Sequence, residues 1–183
     1  LHSPAPQEVS LVCDQSWEGN ACGHFTVFRD GDKYKMYYRG ADTIYRTGEK
    51  AEMPKPRVVC YAESTDGLNW TRPSLGLIEF EGSKDNNIAL DPEGMGLIHI
   101  LRDDRDPDPA RRYKGLFSNR DRHLGVSPDG FQWDMLDVPP IPSQDTAKFM
   151  YDPYTEQFVA TVKHRTAWGR SVWVSTSKDF NTF

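Results

Sequence analysis

Residues 61–70, YAESTDGLNW, and residues 124–133, LGVSPDGFQW, decide the fold, because both close on Ser-x-Asp-Gly-x-x-Trp with identical spacing. The physics of that box is local. Ser64 and Asp66, like Ser127 and Asp129, are residue types that cap the backbone donors of a turn, while Gly67 and Gly130 supply a positive φ. Trp70 and Trp133 then cover the apolar face of the hairpin, and Trp173 is expected to be buried in the same way. Residues 173–183, WVSTSKDFNTF, repeat the order more weakly with Ser177, Asp179 and Phe183. Turn capping satisfies everything the pattern asks of Asp66 and Asp129, so they read as structural and not as catalytic acids.

Working outward, a hairpin precedes each box. Residues 24–29 and 33–39 flank Asp30-Gly31-Asp32 with aromatic and β-branched residues, and residues 148–165 repeat the plan around Asp152-Pro153. Between them, LIHILRDD and RRYKGLFS pair across a polar loop, residues 102–111, with four Asp and two Pro. Residues 33–39, 113–118 and 157–163 are therefore equivalent second strands. Helical periodicity is nearly absent. The expectation is an all-β protein in one domain, a β-propeller of four-stranded antiparallel blades over residues 18–80, 85–138 and 145–183. Three blades cannot close a ring, so the chain is expected to be part of a longer one.

Composition narrows the partners. No apolar run approaches the roughly 20 residues a membrane helix needs. A net charge of −5 argues against a nucleic-acid footprint, which requires a basic patch. The odd number of cysteines (Cys13, Cys22, Cys60) has no CxxC spacing, which leaves a Cys13–Cys22 bridge open and indicates no zinc site. His2, His24, His99, His123 and His164 show no metal-binding spacing, so no cofactor is expected, although an axial calcium or sodium ion is compatible with the fold. The sequence begins at Leu1 without a basic and apolar leader, so an export signal is either absent or already removed.

WEGN (17–20), TVFRDGDKYKMYYRG (26–40), YAESTDGLNW, SKDNNI (83–88) and RYKGLFS (112–118) resemble bacterial proteins related to glycoside hydrolase families 32 and 43, across essentially the whole chain. The resemblance implies a five-bladed propeller with acidic residues around an axial pocket and an oligosaccharide or polysaccharide substrate. The compartment stays open, with a secreted or periplasmic location favoured. The fructosidase Asn-Asp-Pro-Asn-Gly and Glu-Cys patterns are missing. Arg105-Asp106-Pro107 copies a fructosidase tripeptide but falls in the hairpin loop, so its role is not transferred.

Blade geometry then selects candidates. The innermost strand begins at the pocket face and the second ends there. This picks Trp17, Glu18, Arg39, Asp42 and Arg57 from the first blade, Asp85 and Asn119 from the second, and Asp145, Lys163, His164 and Arg165 from the third. Glycosidic cleavage needs one carboxylic acid and one carboxylate, so Glu18 and Asp145 are the expected catalytic pair, sharing a cleft with Arg39, and Asp85 is a third carboxylate that could orient them. The competing readings are a Glu18 that caps backbone donors or pairs with Arg39, and turn-forming roles for Asp145 and Asp85. Arg39, Arg57, Lys163 and Arg165 suit sugar hydroxyls or an anionic group such as a sulfate or uronate, and Trp17 suits a sugar face.

A glycoside hydrolase is the leading expectation. A noncatalytic glycan- or protein-binding propeller is the alternative, and a sialidase using Arg39, Arg57 and Arg165 comes third.

Overall fold

The aromatic and β-branched residues around Asp30-Gly31-Asp32 form Gly23–Asp30 (β1) and Lys33–Gly40 (β2), paired antiparallel with Asp30 opposite Lys33. The computed structural model describes residues 3, 5, 7–90, 96–118 and 120–183. Val58–Ser64 (β3) and Ile88–Leu90 (β4) complete a first sheet in the order β1-β2-β3-β4. The second sheet contains Leu97–Arg102 (β5), Tyr113–Phe117 (β6), His123–Ser127 (β7) and Asp134–Met135 (β8), in sequence order. The third contains Lys148–Asp152 (β9), Gln157–Thr166 (β10) and Gly169–Ser177 (β11). All ladders are antiparallel, and the protein is all-β. The three expected second strands are β2, β6 and β10.

Two expectations change. The box at Ser64 does not open a full hairpin. A single bridge joins Glu63 to Thr71, and the backbone then makes a long excursion before β4 supplies the fourth strand. Residues near Asp85 therefore lead into the last strand of the first sheet and not into the first strand of the second. The third sheet has three strands among the described residues where four were expected, and among those residues the three sheets do not close into a ring. β11 is consequently an edge strand, with Val172, Trp173 and Val174 exposed by 65%, 52% and 65%. Trp70 and Trp133 pack against the core as expected, but Trp173 does not, because nothing covers that edge among the described residues.

The boxes behave as capped turns. Ser64 Oγ accepts the Gly67 N–H at 2.9 Å and Ser127 Oγ accepts the Gly130 N–H at 2.8 Å, while Asp66, Asp129 and Asp179 each accept two N–H groups further on. Gly67 and Gly130 sit at φ 78° and 86°, and Phe180 takes the same place in the third box at φ 61°.

Apolar side chains join neighbouring sheets. Tyr37, Tyr61, Ile100, Tyr113 and Phe117 pack the first against the second, and Leu116, Leu124, Phe149, Phe158 and Phe180 the second against the third. β1 lies against β5 and β5 against β9, so the first strands of successive sheets are neighbours. Ion pairs reinforce the turn ends of the hairpins. Asp30 binds Lys35 and Tyr113, each at 2.5 Å, and also Arg102. The fully buried Lys114 ammonium is held by Asp103 at 2.8 Å and Asp106 at 2.9 Å. Arg105 lies over the Tyr151 ring, 2.9 Å from its centroid. Arg105-Asp106-Pro107 is thus part of the junction between the second and third sheets.

Candidate functional site

Glu18 lies in the loop before β1, where the backbone turns through Gly19. A Cβ at Gly19 would fall 2.5 Å from the Ala41 carbonyl oxygen, and its φ is 67°, so only glycine fits. The turn presses Glu18 inward until the residue is fully buried. Arg72 donates to its carboxylate from Nε at 2.8 Å and from Nη2 at 3.1 Å, the Gln15 N–H donates at 3.0 Å, and the Tyr38 hydroxyl also donates. Asn87 extends the network to Tyr38 (3.0 Å) and to the Trp17 indole N–H (2.7 Å). Every acceptor direction of Glu18 is used inside the protein. The partner is Arg72, not Arg39.

Asp145 is placed very differently. It precedes β9, where residues 143–145 run beside the end of β10. The Gln144 N–H donates to the Lys163 carbonyl at 2.8 Å, and the Lys163 N–H donates to Ser143 Oγ at 3.3 Å. The Asp145 carboxylate meets Lys163 at 3.4 Å and Arg170 at 3.0 Å. The Thr146 N–H, then those two cations, hold its carboxyl below the usual carboxylate range against an upward push from burial. Around it opens a polar cleft of about 600 Å³, lined by Arg120, Asp121, Ser143, Gln144, Asp145, Lys163, His164, Arg165 and Arg170. Glu18 and Arg39 do not line it, so the expected Glu18–Asp145–Arg39 cleft is not formed. Lys163, His164 and Arg165 do gather with Asp145. The His164 ring packs on Trp173 with centroids 4.7 Å apart.

The remaining candidates scatter. Asp85 is exposed, its N–H donates to Ser83 Oγ at 3.0 Å, and it lines a shallow hollow with Trp17 and Arg72. Asp42 accepts the Asn20 N–H at 3.2 Å and lies 4.0 Å from Lys55, in a structural loop contact. Arg39 and Arg57 are electrostatic neighbours at the end of β2 and the start of β3. Arg165, the third member of the suggested sialidase set, lines the Asp145 cleft instead. Asn119 lies outside the described residues. No cluster of metal-ligating side chains occurs among the described residues.

Sequence reasoning passed over Arg122, Arg72 and Lys148. Arg122 is fully buried and donates to the carbonyls of Ser118 and Asp145, tying the β6–β7 connection to the floor of the cleft. Its neighbours Arg120 and Asp121 line the cleft, and nothing in the local sequence pattern sets the buried Arg122 apart from them. A second hollow of about 600 Å³, between the first two sheets, is lined largely by apolar side chains including Leu75, Leu77, Phe131, Trp133 and Met135. Its carboxylate, Asp129, is committed to the turn box, so the polar cleft at the strand ends is the better chemical site.

No protein-family model matches the sequence. The chain is similar to an uncharacterized protein of Mycobacterium tuberculosis, Rv1502, at 27% identity over 146 residues, taking in 68% of this chain and 43% of that protein. It thus spans less than half the length of this relative. Among solved structures it is similar to a polypeptide from a complex described by the words BT0996 and RGII, at 17% identity and TM-score 0.47, over 88% of this chain and 55% of that one. Membership of glycoside hydrolase families 32 or 43, expected from the short motifs, is overturned: no family model matches and the three sheets form no closed five-bladed ring.

Proposed function

We propose that the protein is a run of three propeller blades and that the cleft around Asp145 binds a carbohydrate. Support for the blades comes from three sheets built in the same order, with their first strands side by side and apolar residues left exposed on both flanks, Phe25 and Val27 on β1 and Val172 and Val174 on β11. An experimental structure in which β1, β5 and β9 do not surround one axis would remove this part of the reading.

Support for carbohydrate comes from the cleft itself. It offers hydroxyl, amide, guanidinium, ammonium and carboxylate groups in one concave space of about 600 Å³, large enough for sugar rings and rich in the paired donors and acceptors that hydroxyls need. Titration with a panel of oligosaccharides tests it. Lys163→Gln and Arg165→Gln are expected to weaken binding at least tenfold, and a protein that binds no member of the panel contradicts the reading.

Hydrolysis of the bound saccharide is the second reading, favoured by the presence of two carboxylates, Asp121 and Asp145, in the same cleft. Asp145, held ionised, suits the base or nucleophile. Product release that disappears in both Asp121→Asn and Asp145→Asn supports cleavage there, and release unchanged in both removes it.

A further inference from the structure

Beside the polar cleft, at the same end of the sheets, positive groups from two sheets converge where the protein as a whole carries a net charge of −5. Arg39 is opposite Gly23 in the β1–β2 register, and its Nη2 would lie 3.7 Å from a Cβ placed on that glycine, so the guanidinium lies over the start of β1. Lys148, the first residue of β9, reaches from the third sheet to the first. Its ammonium is 3.4 Å from both the Phe25 carbonyl and Thr26 Oγ1. His24 lies between these contacts, at a bulge in β1 and with φ 57°, a backbone conformation that a non-glycine residue holds only under constraint from its surroundings. Arg57, just before β3, and Asp145 complete its electrostatic surroundings.

Arg39 carries the decisive detail. Its Nε is buried and donates to nothing among the described residues. A buried guanidinium N–H without an acceptor is costly, and an acidic oxygen brought to it would remove that cost. Burial, then the Arg39 guanidinium and then the Lys148 ammonium hold the His24 imidazole below the ordinary histidine range, so the positive charge beside it is that of Arg39 and Lys148. Asp145 is already engaged by Lys163 and Arg170 and is poorly placed to neutralise them.

We propose that Arg39, Lys148 and His24 form a subsite for the acidic group, carboxylate or sulfate, of a charged saccharide whose remaining hydroxyls occupy the Asp145 cleft. This rests on the carbohydrate reading and narrows it to acidic sugars. A guanidinium and an ammonium facing one oxyanion from different strands match the planar carboxylate and the tetrahedral sulfate alike.

The probes are inorganic sulfate, glucuronate, glucose 6-sulfate and glucose, titrated into the full-length protein while the backbone and imidazole resonances are followed. Sulfate is expected to shift His24 and its neighbours saturably, glucuronate and glucose 6-sulfate to bind at least tenfold more tightly than glucose, and Arg39→Gln to abolish the preference. The unfolding midpoint of Arg39→Gln shows whether it is folded, and Arg29→Gln, at the far end of β1, controls for lost charge. Lys148→Gln provides an independent variant. Sulfate shifts that persist in both Arg39→Gln and Lys148→Gln overturn the subsite, as does equal affinity for glucose and glucuronate. Saccharide binding without that preference leaves the cleft reading standing, whereas sulfate binding without any saccharide binding removes the cleft reading and keeps the anion site. Preference for one acid over the other identifies which group the subsite is built for.

Discussion

Glu18 and Arg72, 54 positions apart, form a two-point ion pair in which the carboxylate is fully buried and the guanidinium seals it from solvent. Removing one partner of such a pair strands the other, at a cost of about 3 kcal/mol. Glu18→Ala and Arg72→Ala are each expected to lower stability by about that amount, and the double variant by much less than twice as much. Urea unfolding of the three variants checks this, and additive losses contradict the pairing. Any fall in activity in Glu18 variants then reports folding first.

Acid should weaken the fold in two stages. Burial, with help from the Lys148 ammonium, lowers the His99 imidazole to about 3. The unfolded protein takes up a proton below about 6.5 and the folded protein does not, so stability falls by about 1.4 kcal/mol per pH unit in that interval. Asp106 resists its burial through Lys114, the Asp108 N–H and Arg111, and titrates at about 2. Its contribution is complete above the unfolded value of about 4 and is lost as pH drops through 2. His99→Gln should flatten the upper stage and Asp106→Asn the lower. Parallel stability curves for variants and parent would contradict both assignments.

Cysteine reactivity should be low. Burial, followed by contact with the Cys13 thiol, pushes Cys22 up to about 12, and Cys60 is completely enclosed. A thiol reacts as its thiolate, so native-state labelling of Cys22 and Cys60 at mildly alkaline pH is expected to be at least about tenfold slower than in the unfolded state. Equal rates in the two states would show that neither is protected.

Ser127 is buried and receives the Asp129 and Gly130 N–H groups. Ser127→Ala leaves those donors unmet and should cost about 1–2 kcal/mol, read from the thermal unfolding midpoint. An unchanged midpoint would mean that the box does not hold the turn.

What was legible in the sequence follows the range of the interactions. The boxes and the second strands β2, β6 and β10 depend on neighbours a few positions away, so turn chemistry and alternation revealed them. The fourth strand of the first sheet did not show, because β4 is separated from the box at Ser64 by the excursion through Thr71 and Asn86. The burial of Glu18 was hidden for the same reason, since its fate is settled by Arg72 on that excursion. Trp173 looked like a core residue by type, yet edge position overrides type. Asp145, Lys163, His164 and Arg165 were found together because strand ends at one face must converge, whereas buried Arg122 leaves no local pattern.

The most direct test of the account is a residue-by-residue map of chemical-shift changes as an acidic oligosaccharide is added to the protein. Changes are expected to concentrate at Ser143, Asp145, Lys163, Arg165 and Arg170 and to extend to His24 and Arg39. Changes centred instead on the apolar hollow of Leu75, Phe131 and Trp133, or no saturable change anywhere, would contradict it.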